Sequence, residues 1–324
     1  MPSIYTHNYF AKDLNKELNK LNIYKLSNTR YYEIFAQSFD NLFYYNFLSI
    51  KKGKEIRTLG HYAHVHKVWE YFKNMVTYIK KNKLYDDENL GYLYGSLTHY
   101  CLDSTAHPYI HYISGRFSRR DYKGTKKYLG YHAVNEIMID SIYYYKEHND
   151  KYYKYKLYKD LIPKMKFPKN LTKTIDYTFK ETFGFNNIGE KFNKSYNQSH
   201  DAYKYLMYDR FSIKRKLYRL VDLIPVHKIF KAYSYSHHIN IPNYSVLNNE
   251  HNIWYHPVTN EKHNESFEDL YNIAYKKCIK MIKKCNDYFN DKCSLKDLEK
   301  VIGNISYSSG LDCEIRPYFQ YFGR

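Results

Sequence analysis

Three features of the sequence predict an all-α protein with long loops. The chain has 324 residues but only 12 Gly and 8 Pro, which argues against an all-β array of tight turns. Apolar residues recur at three- and four-residue spacing over five long segments, as in helices that pack against a core. With 44% apolar and 19% aromatic residues, the chain can bury such a core, and intrinsic disorder is excluded. No linker or internal repeat divides it, so we expect one helical domain over residues 1–324.

The helical spacing is clearest in five segments, which in chain order are 8–22, 64–82, 88–106, 131–147 and 267–290. The third should end before Pro108, because proline disfavours helical geometry in the residue before it. The fifth should begin at an N-cap formed by Ser266 with Asp269. Three stretches lack such periodicity and are predicted to be loops: 105–130, 183–200 and 235–265. A loop as long as the last one is usually functional or forms the rim of a site.

The chain carries a formal net charge of +18, from 51 Lys and Arg against 33 Asp and Glu. Such a balance suits nucleic acid, an anionic membrane surface or a phosphorylated substrate. The densest basic run is IKRKLYR at 213–219, and we interpret most of the charge as surface composition. Five cysteines form no CxxC pair, which argues against zinc held by thiolates. With no apolar signal segment at the start and no apolar run of membrane-spanning length, we expect a cytoplasmic protein without a transmembrane segment.

Histidine and carboxylate pairs recur at helical spacing. His99 and Asp103 are four residues apart, so a helix places both on one face, and His107 follows shortly after. His132 and Glu136 repeat the same spacing on a second predicted helix. Imidazole and carboxylate are the ligands that zinc takes when thiolates are absent. Two or more closely spaced zinc ions can stabilise in-line displacement at phosphorus.

A structural explanation competes with this interpretation, because polar pairs four residues apart commonly stabilise exposed helix faces. Here the two pairs flank an apolar helix that should be buried, where a charge is costly unless it is paired or bound to metal. We therefore predict a metal site within residues 1–140, with 141–324 forming a helical and loop remainder. Asp140, one turn beyond Glu136, either supports the ligands from behind or is an exposed carboxylate.

These motifs resemble the bacterial zinc-dependent phospholipases C, whose pattern is HxxxD, a His near a Pro, and HxxxE. The pattern corresponds here to His99–Asp103, His107-Pro108 and His132–Glu136. Further resemblance lies in PSIYTHNYF with His7, AQSFDNLFYY with Asp40 and LGHYAHVHKVWEYF at 59–72. It extends to NIWYHPVTNEKHNESFEDLY and SYSSGLDCE, and so covers most of the chain, most densely over 1–140. The zinc-dependent single-strand nucleases have a similar metal site.

The resemblance implies three zinc ions. One would be held by Asp40, a histidine of the 61–66 run, His99 and Asp103. A second would be held by His107, His132 and Glu136. A third would be held by His7, Asp103 and the amine and carbonyl of the mature N-terminus. In the 61–66 run we choose His64, with His61 second and His66 the remaining alternative.

Two departures from the family bear on these assignments. Secreted members use an N-terminal Trp that cleavage exposes, whereas this chain begins Met1-Pro2, so trimming of Met1 would be needed to free the Pro2 amine. Without a terminal ligand, two zinc ions rather than three would bind. Toxic members also carry a membrane-docking β-sandwich, and residues 200–324 do not have its pattern of short alternating strands. The aromatic-rich loop 235–257 is either a rim of the cleft that touches lipid or a structural loop.

The function that the resemblance implies is zinc-dependent hydrolysis of a phosphodiester, with phospholipid head groups as substrate and peripheral contact with a membrane. Asp40 is the predicted catalytic residue, which would orient or deprotonate the attacking water, with a plain ligand role as the alternative. One alternative function is a zinc-dependent single-strand nuclease or phosphodiesterase, for which nucleic acid would be the partner. The other is a non-catalytic helical protein that zinc stabilises.

Overall fold

The computed structural model describes residues 4–23, 26–49, 51–118, 121–224 and 232–323. Nine longer α-helices within these ranges are α1 (Ile4–Lys20), α3 (Lys54–Ala63), α4 (Val68–Lys81), α5 (Asp87–Ser114), α7 (Tyr131–His148), α9 (Lys169–Phe183), α10 (Ile188–Ala202), α11 (Ile213–Val221) and α12 (Phe267–Phe289). Four shorter ones are α2 (Arg30–Phe35), α6 (Tyr122–Thr125), α8 (Leu157–Asp160) and α13 (Leu295–Ile302). The all-α prediction is confirmed.

Short helical turns of other types connect these helices. The 3-10 turns lie at Ser38–Tyr44, Lys126–Tyr128, Tyr152–Lys154, Ala232–Tyr235 and Tyr244–Leu247, and a π-helical turn lies at Tyr203–Met207. Strands β1 (Trp254–Tyr255) and β2 (Lys262–His263) pair antiparallel, with Trp254 opposite His263. The 235–265 segment is thus largely irregular, as predicted, and the described part of 200–324 holds no β-sandwich. None of the described helices is both long enough and apolar enough to cross a bilayer.

Helix α5 lies at the centre of the fold and packs against α1, α2, α4, α7, α9 and α12. It begins at Asp86, whose carboxylate accepts a hydrogen bond from the backbone N–H of Asn89 at 2.8 Å. Its side chains are buried around most of its circumference, as expected for a helix with neighbours on several sides. Polar groups on α5 are consequently held away from water.

The prediction that this helix ends before Pro108 is wrong, because α5 continues through the proline to Ser114. A proline inside a helix leaves the carbonyl four residues earlier, here that of Ser104, without its usual donor. Gly310 packs against both groups: a Cβ built on it would lie 2.8 Å from the Ser104 oxygen and 3.1 Å from the Pro108 ring. The backbone of the C-terminal segment therefore covers the irregular turn of α5, a contact that local sequence does not reveal.

The prediction of a loop over 183–200 is also wrong, because α10 occupies most of it. Ile188, Phe192 and Tyr196 are four residues apart and are buried along one face of α10. The many polar residues between them conceal this period in the sequence. The predicted loop at 105–130 is likewise shortened by the extension of α5 and by α6. The N-cap of α12 is as predicted, with Ser266 and Asp269 forming a reciprocal capping box.

Candidate metal centre

All eight predicted metal ligands lie together at the centre of the fold. His7 comes from α1, Asp40 from the 3-10 turn at Ser38–Tyr44, and His64 from the residue that ends α3. Helix α5 contributes His99, Asp103 and His107, and α7 contributes His132 and Glu136. They form three groups whose ligand atoms lie within 4.8 Å of one another: His7, His99 and Asp103; Asp40, His64 and His99; and His107, His132 and Glu136.

Asp103 is the residue around which the histidines of α1 and α5 gather. Its Oδ1 lies 3.0 Å from His7 Nε2, and its Oδ2 lies 3.1 Å from His99 Nε2. The same Oδ2 lies 3.6 Å from Nδ1 of His107, one turn further along α5. The i, i+4 spacing on α5 brings His99 and His107 to either side of Asp103. A single carboxylate thus contacts three imidazoles.

Asp40 occupies a comparable position in the second group. Its Oδ1 lies 3.1 Å from His64 Nε2, and its Oδ2 lies 3.6 Å from His99 Nε2. Of the three histidines in the 61–66 run, His64 is the one that reaches this group. The ring of His61 stacks on another aromatic ring, that of Phe43, with ring centroids 4.4 Å apart. Which of these histidines reaches Asp40 depends on where α3 ends. The spacing of residues in the sequence does not determine that end.

The third group joins the two long helices. Glu136 Oε1 lies 3.1 Å from His132 Nε2 on its own helix and 3.4 Å from His107 Nε2 on α5. A cavity of about 20 Å³ separates this group from the first, and its lining includes His7, Asp103, His107 and Glu136. That volume accommodates a ligand of about the size of one water molecule. The first and third groups are therefore adjacent parts of one centre.

Backbone carbonyls orient three of the imidazoles. Nδ1 of His64, His99 and His107 lies 2.7, 3.0 and 2.9 Å from the carbonyl oxygens of Gly60, Ala36 and Tyr307, respectively. A ring that donates from Nδ1 to a carbonyl presents an unprotonated Nε2, which is the usual tautomer of a metal-binding histidine. In all three residues, Nε2 faces a carboxylate of the centre.

The centre fits divalent metal ions on two observations. Two of its buried atoms, His7 Nδ1 and Glu136 Oε2, have no hydrogen-bond partner among the described residues, and His99 Nε2 makes no hydrogen bond although it lies 3.1 Å from Asp103 Oδ2. No Lys or Arg of the described residues comes within 4 Å of the carboxylates of Asp40, Asp103 or Glu136. Buried carboxylates need a compensating positive charge. A set of imidazoles and carboxylates without thiolates suits zinc and other first-row divalent ions.

The pKa values reflect the same packing. Burial by itself would raise the pKa of Asp103, but the neighbouring imidazoles of His107, His99 and His7 outweigh it and hold the pKa well below its usual range. The pKa of Glu136 is lowered for the same reason, by His132 and His107 against the effect of burial. Burial lowers the pKa of His107, but Asp103 and Glu136 outweigh it and raise the pKa to about 9. The carboxylates are thus ionised at neutral pH.

Asp140 is buried behind the ligands and connects α7 with α1. Its carboxylate accepts hydrogen bonds from the backbone N–H groups of Tyr5 and Thr6 at 3.1 and 2.8 Å. It also accepts from the Thr6 hydroxyl at 2.7 Å and from the Tyr152 hydroxyl at 3.0 Å. A carboxylate at a helix N-terminus satisfies its free N–H groups and complements its dipole. Of the two roles left open by the sequence, the structure supports the one in which Asp140 positions His7 from behind.

His111 is a residue of the centre that sequence reasoning missed. It continues the four-residue spacing of His99, Asp103 and His107 on α5, and its ring centroid lies 4.8 Å from that of His132. Its Nε2 lies 3.1 Å from the Ser308 hydroxyl. Burial and the nearby histidines lower the pKa of His111 well below its usual value. The spacing could have identified it, but the predicted end of the helix before Pro108 excluded it.

The proposed terminal ligand, the amine of Pro2 after removal of Met1, lies outside the described residues. Comparison of the chain with protein-family models, with curated proteins and with solved structures found no match.

Proposed function

We propose that this chain is a zinc-dependent phosphodiester hydrolase of the phospholipase C type. The proposal rests on the composition of the centre. Five histidines surround three buried carboxylates, and no Lys or Arg of the described residues lies within 4 Å of those carboxylates. A protein core rarely holds such a set, because each unpaired charge there costs several kcal/mol. Catalytic metal centres that act on phosphate esters have this kind of ligand set.

When bound, zinc ions would supply Lewis-acid chemistry, offsetting phosphate charge and making water nucleophilic near neutral pH. The residues of the three groups would hold them, and backbone carbonyls would keep the Nε2 atoms of His64, His99 and His107 directed inward. Asp140 would hold α1, and with it His7, against α7. This positioning by hydrogen bonds from outside the ligand set affects metal affinity and activity.

Asp40 remains our proposed catalytic residue. Burial raises its pKa, but His99 and His64 outweigh that effect and keep the pKa below its usual value, so the carboxylate is ionised. An ionised carboxylate can accept a hydrogen bond or a proton from a nucleophilic water. Both its oxygens also face imidazoles, which equally suits a plain ligand. Asp40→Asn distinguishes the roles: retention of zinc with loss of activity supports the catalytic role, and loss of both supports the ligand role.

A groove beside α3 has apolar walls, and none of its described lining residues belongs to the three ligand groups. A cavity of about 500 Å³ lies beside α3, the helix that His64 follows. Leu59, Tyr62, Phe183 and Phe185 line it, with Lys54 and Lys67 among the remaining lining residues. Apolar walls suit an acyl chain, but three of these four apolar residues are aromatic, which equally suits the stacking of bases. We propose a phospholipid, contacted at a membrane surface, as the substrate because the motifs resemble those of the phospholipases C.

The first experiment measures zinc content and hydrolysis on the same preparation, purified without added metal. We expect two or three zinc ions per chain and faster hydrolysis of a phosphatidylcholine analogue than of single-stranded DNA, with bis-nitrophenyl phosphate as a general diester. Preference for DNA would instead support the nuclease. Bound zinc without hydrolysis of any of the three would support the non-catalytic alternative, and the absence of zinc from an otherwise folded protein would contradict the proposal.

A variant at the third group provides a second test. His132→Ala should release at least one zinc ion and lower activity by more than about a hundredfold, since it removes a ligand and not merely an outer contact. His251→Ala is the matched control. It removes a histidine that lies outside the three groups and whose side chain is about half exposed, and it should change neither the zinc content nor the activity.

A further inference from the structure

Helix α11 is oriented with its polar face toward the protein and its apolar face outward. None of its residues is buried, although Ile213, Leu217 and Leu220 recur at the spacing of a packing face. These three side chains are 66, 55 and 62% exposed. Flanking residues extend the apolar surface, with Phe211 at 72%, Leu223 at 77% and Ile224 at 52%.

Specific hydrogen bonds hold the helix in this orientation. Buried Asp209 accepts from the backbone N–H groups of Lys214 and Arg215 at 3.2 and 2.7 Å, and so satisfies the helix N-terminus. On the inward face, Arg215 donates to the His238 carbonyl at 2.8 Å and Tyr218 donates to the Leu206 carbonyl at 2.9 Å. Turning the apolar face inward would break all of these bonds. The apolar side chains are therefore fixed in the outward direction.

Basic residues border the outward face. Lys216 and Arg219 are exposed on α11, and Arg210 is exposed just before it, with its guanidinium 5.6 Å from the centroid of the Phe211 ring. No carboxylate of the described residues lies within 4 Å of these three cations, whereas Asp209 and Asp222 are occupied with backbone N–H groups. The face thus combines large apolar side chains with positive charges that no carboxylate of the described residues approaches within 4 Å. That combination matches a bilayer that contains anionic lipids.

We propose that the surface formed by Phe211, Ile213, Leu217, Leu220, Leu223 and Ile224, with its bordering Arg210, Lys216 and Arg219, docks the protein on an anionic membrane. The helix would lie in the plane of the interface, with its leucines and isoleucines among the acyl chains and its cations at the headgroups. A second copy of the chain fits less well, because two such faces would bring these cations together with no acidic residue of the face to offset them.

The surface is connected to the side of the fold that carries the third ligand group. The Arg215 guanidinium lies 5.8 Å from the centroid of the Tyr233 ring, in the 3-10 turn Ala232–Tyr235. That turn packs against α7, the helix that carries His132 and Glu136. Docking through α11 would therefore place this part of the fold near the lipid headgroups. The inference concerns binding alone and does not depend on the proposed hydrolase activity.

Co-sedimentation with vesicles tests the proposal on the full chain. We expect binding to phosphatidylcholine vesicles that contain phosphatidylglycerol, weaker binding to pure phosphatidylcholine, and weakening by salt. Leu217→Glu with Leu220→Glu should lower the partition coefficient by at least about tenfold. Lys216→Glu with Arg219→Glu should lower the partition coefficient by at least about fivefold for each basic residue replaced. This decrease should occur only with the anionic vesicles.

Matched substitutions on α12 provide the controls. Ile273→Glu and Lys276→Glu alter an exposed apolar and an exposed basic residue of another helix, and should bind vesicles as the unchanged chain does. Circular dichroism and thermal unfolding establish that each variant is folded. The proposal is overturned if folded α11 variants bind as tightly as the controls. It is also overturned if sedimentation shows a dimer that Leu217→Glu with Leu220→Glu converts to monomer. Hydrolysis of soluble bis-nitrophenyl phosphate is measured in parallel, so failure of docking is distinguishable from failure of the enzymatic proposal.

Discussion

Asp140 and Thr6 are joined by two hydrogen bonds, one from the Thr6 backbone N–H and one from its hydroxyl, although 134 residues separate them in the chain. His7 is the next residue. The carboxylate on α7 thus acts as the cap of α1, and the position of a predicted ligand depends on it. Neither helix contains the whole interaction, which explains why the sequence left the role of Asp140 open.

Replacing Asp140 should therefore affect both folding and metal binding. Asp140→Ala leaves the N–H groups of Tyr5 and Thr6 and two hydroxyl groups without their acceptor, and should lower the free energy of unfolding by about 3–5 kcal/mol. Asp140→Asn retains one acceptor oxygen and should cost less. Zinc affinity should fall about 10–100-fold in both variants. Denaturant titration and competition with a zinc indicator measure the two effects.

Asp150→Ala is the control for this experiment, because Asp150 is an exposed carboxylate shortly after the same helix. Its effect on stability should stay within about 0.5 kcal/mol. An Asp140→Ala protein as stable as this control would contradict the capping role.

Asp103→Asn should have the largest effect on the centre, because Asp103 contacts His7, His99 and His107 at once. An amide provides one weak acceptor oxygen and no charge, so we expect loss of at least one zinc ion and a decrease in hydrolysis of more than about a hundredfold. Zinc analysis and the diester assay test this. Unchanged zinc stoichiometry in Asp103→Asn would exclude the assignment of Asp103 to two zinc ions.

Gly310→Ala tests the contact that permits α5 to pass through Pro108. Gly310 has φ +67°, and an added Cβ would lie 2.8 Å from the Ser104 carbonyl oxygen. The left-handed conformation costs about 1 kcal/mol for alanine, and the close contact should bring the total to about 2–4 kcal/mol in thermal or denaturant unfolding. Gly184→Ala isolates the first contribution, because Gly184 has φ +77° and no atom within 4 Å of the added Cβ. Equal losses in the two variants would show that the contact is unimportant.

The buried side chain of His237, which lies outside the three ligand groups, should make the stability of the fold depend on pH. Burial lowers its pKa to about 3, and its ring packs between those of Tyr152 and Tyr203. An unfolded histidine binds a proton below about pH 6.5, whereas the folded one does not until about pH 3. The free energy of unfolding should therefore fall as pH decreases through this window, by up to about 1.4 kcal/mol per pH unit from this residue.

His237→Phe should reduce that slope, measured as the difference between denaturant midpoints at several pH values. His148→Phe, which removes a histidine whose side chain is 45% exposed, is the matched control. A slope that is the same in His237→Phe and in the unchanged chain would refute the assignment.

The parts of the fold that sequence predicted are those in which local periodicity matches burial. The spacing of His99 with Asp103 and of His132 with Glu136 placed each pair on one helix face, and the structure has them there. Helix α10 was missed because polar residues surround its narrow apolar face. The passage of α5 through Pro108 was missed because it depends on Gly310, about 200 positions away. Local pattern does not contain such tertiary contacts.

The same limit applied to the centre. Its ligand types and their order were predictable, but the selection of His64 over His61 depends on the Nδ1 contact with Gly60 and on the end of α3. His111 had a sequence signal in its spacing, which the incorrect helix end concealed. For α11 the sequence pattern is misleading. Its amphipathic spacing suggests that the apolar face packs against the core, but hydrogen bonds on the polar face hold that face inward and leave the apolar face outward.

His99 belongs to two of the three ligand groups, yet it has a single lone pair for both. Its Nδ1 is engaged with the carbonyl of Ala36, which leaves only Nε2. If zinc binds as proposed, this nitrogen can serve only one ion, and His7 with Asp103 would need a further donor to hold a second.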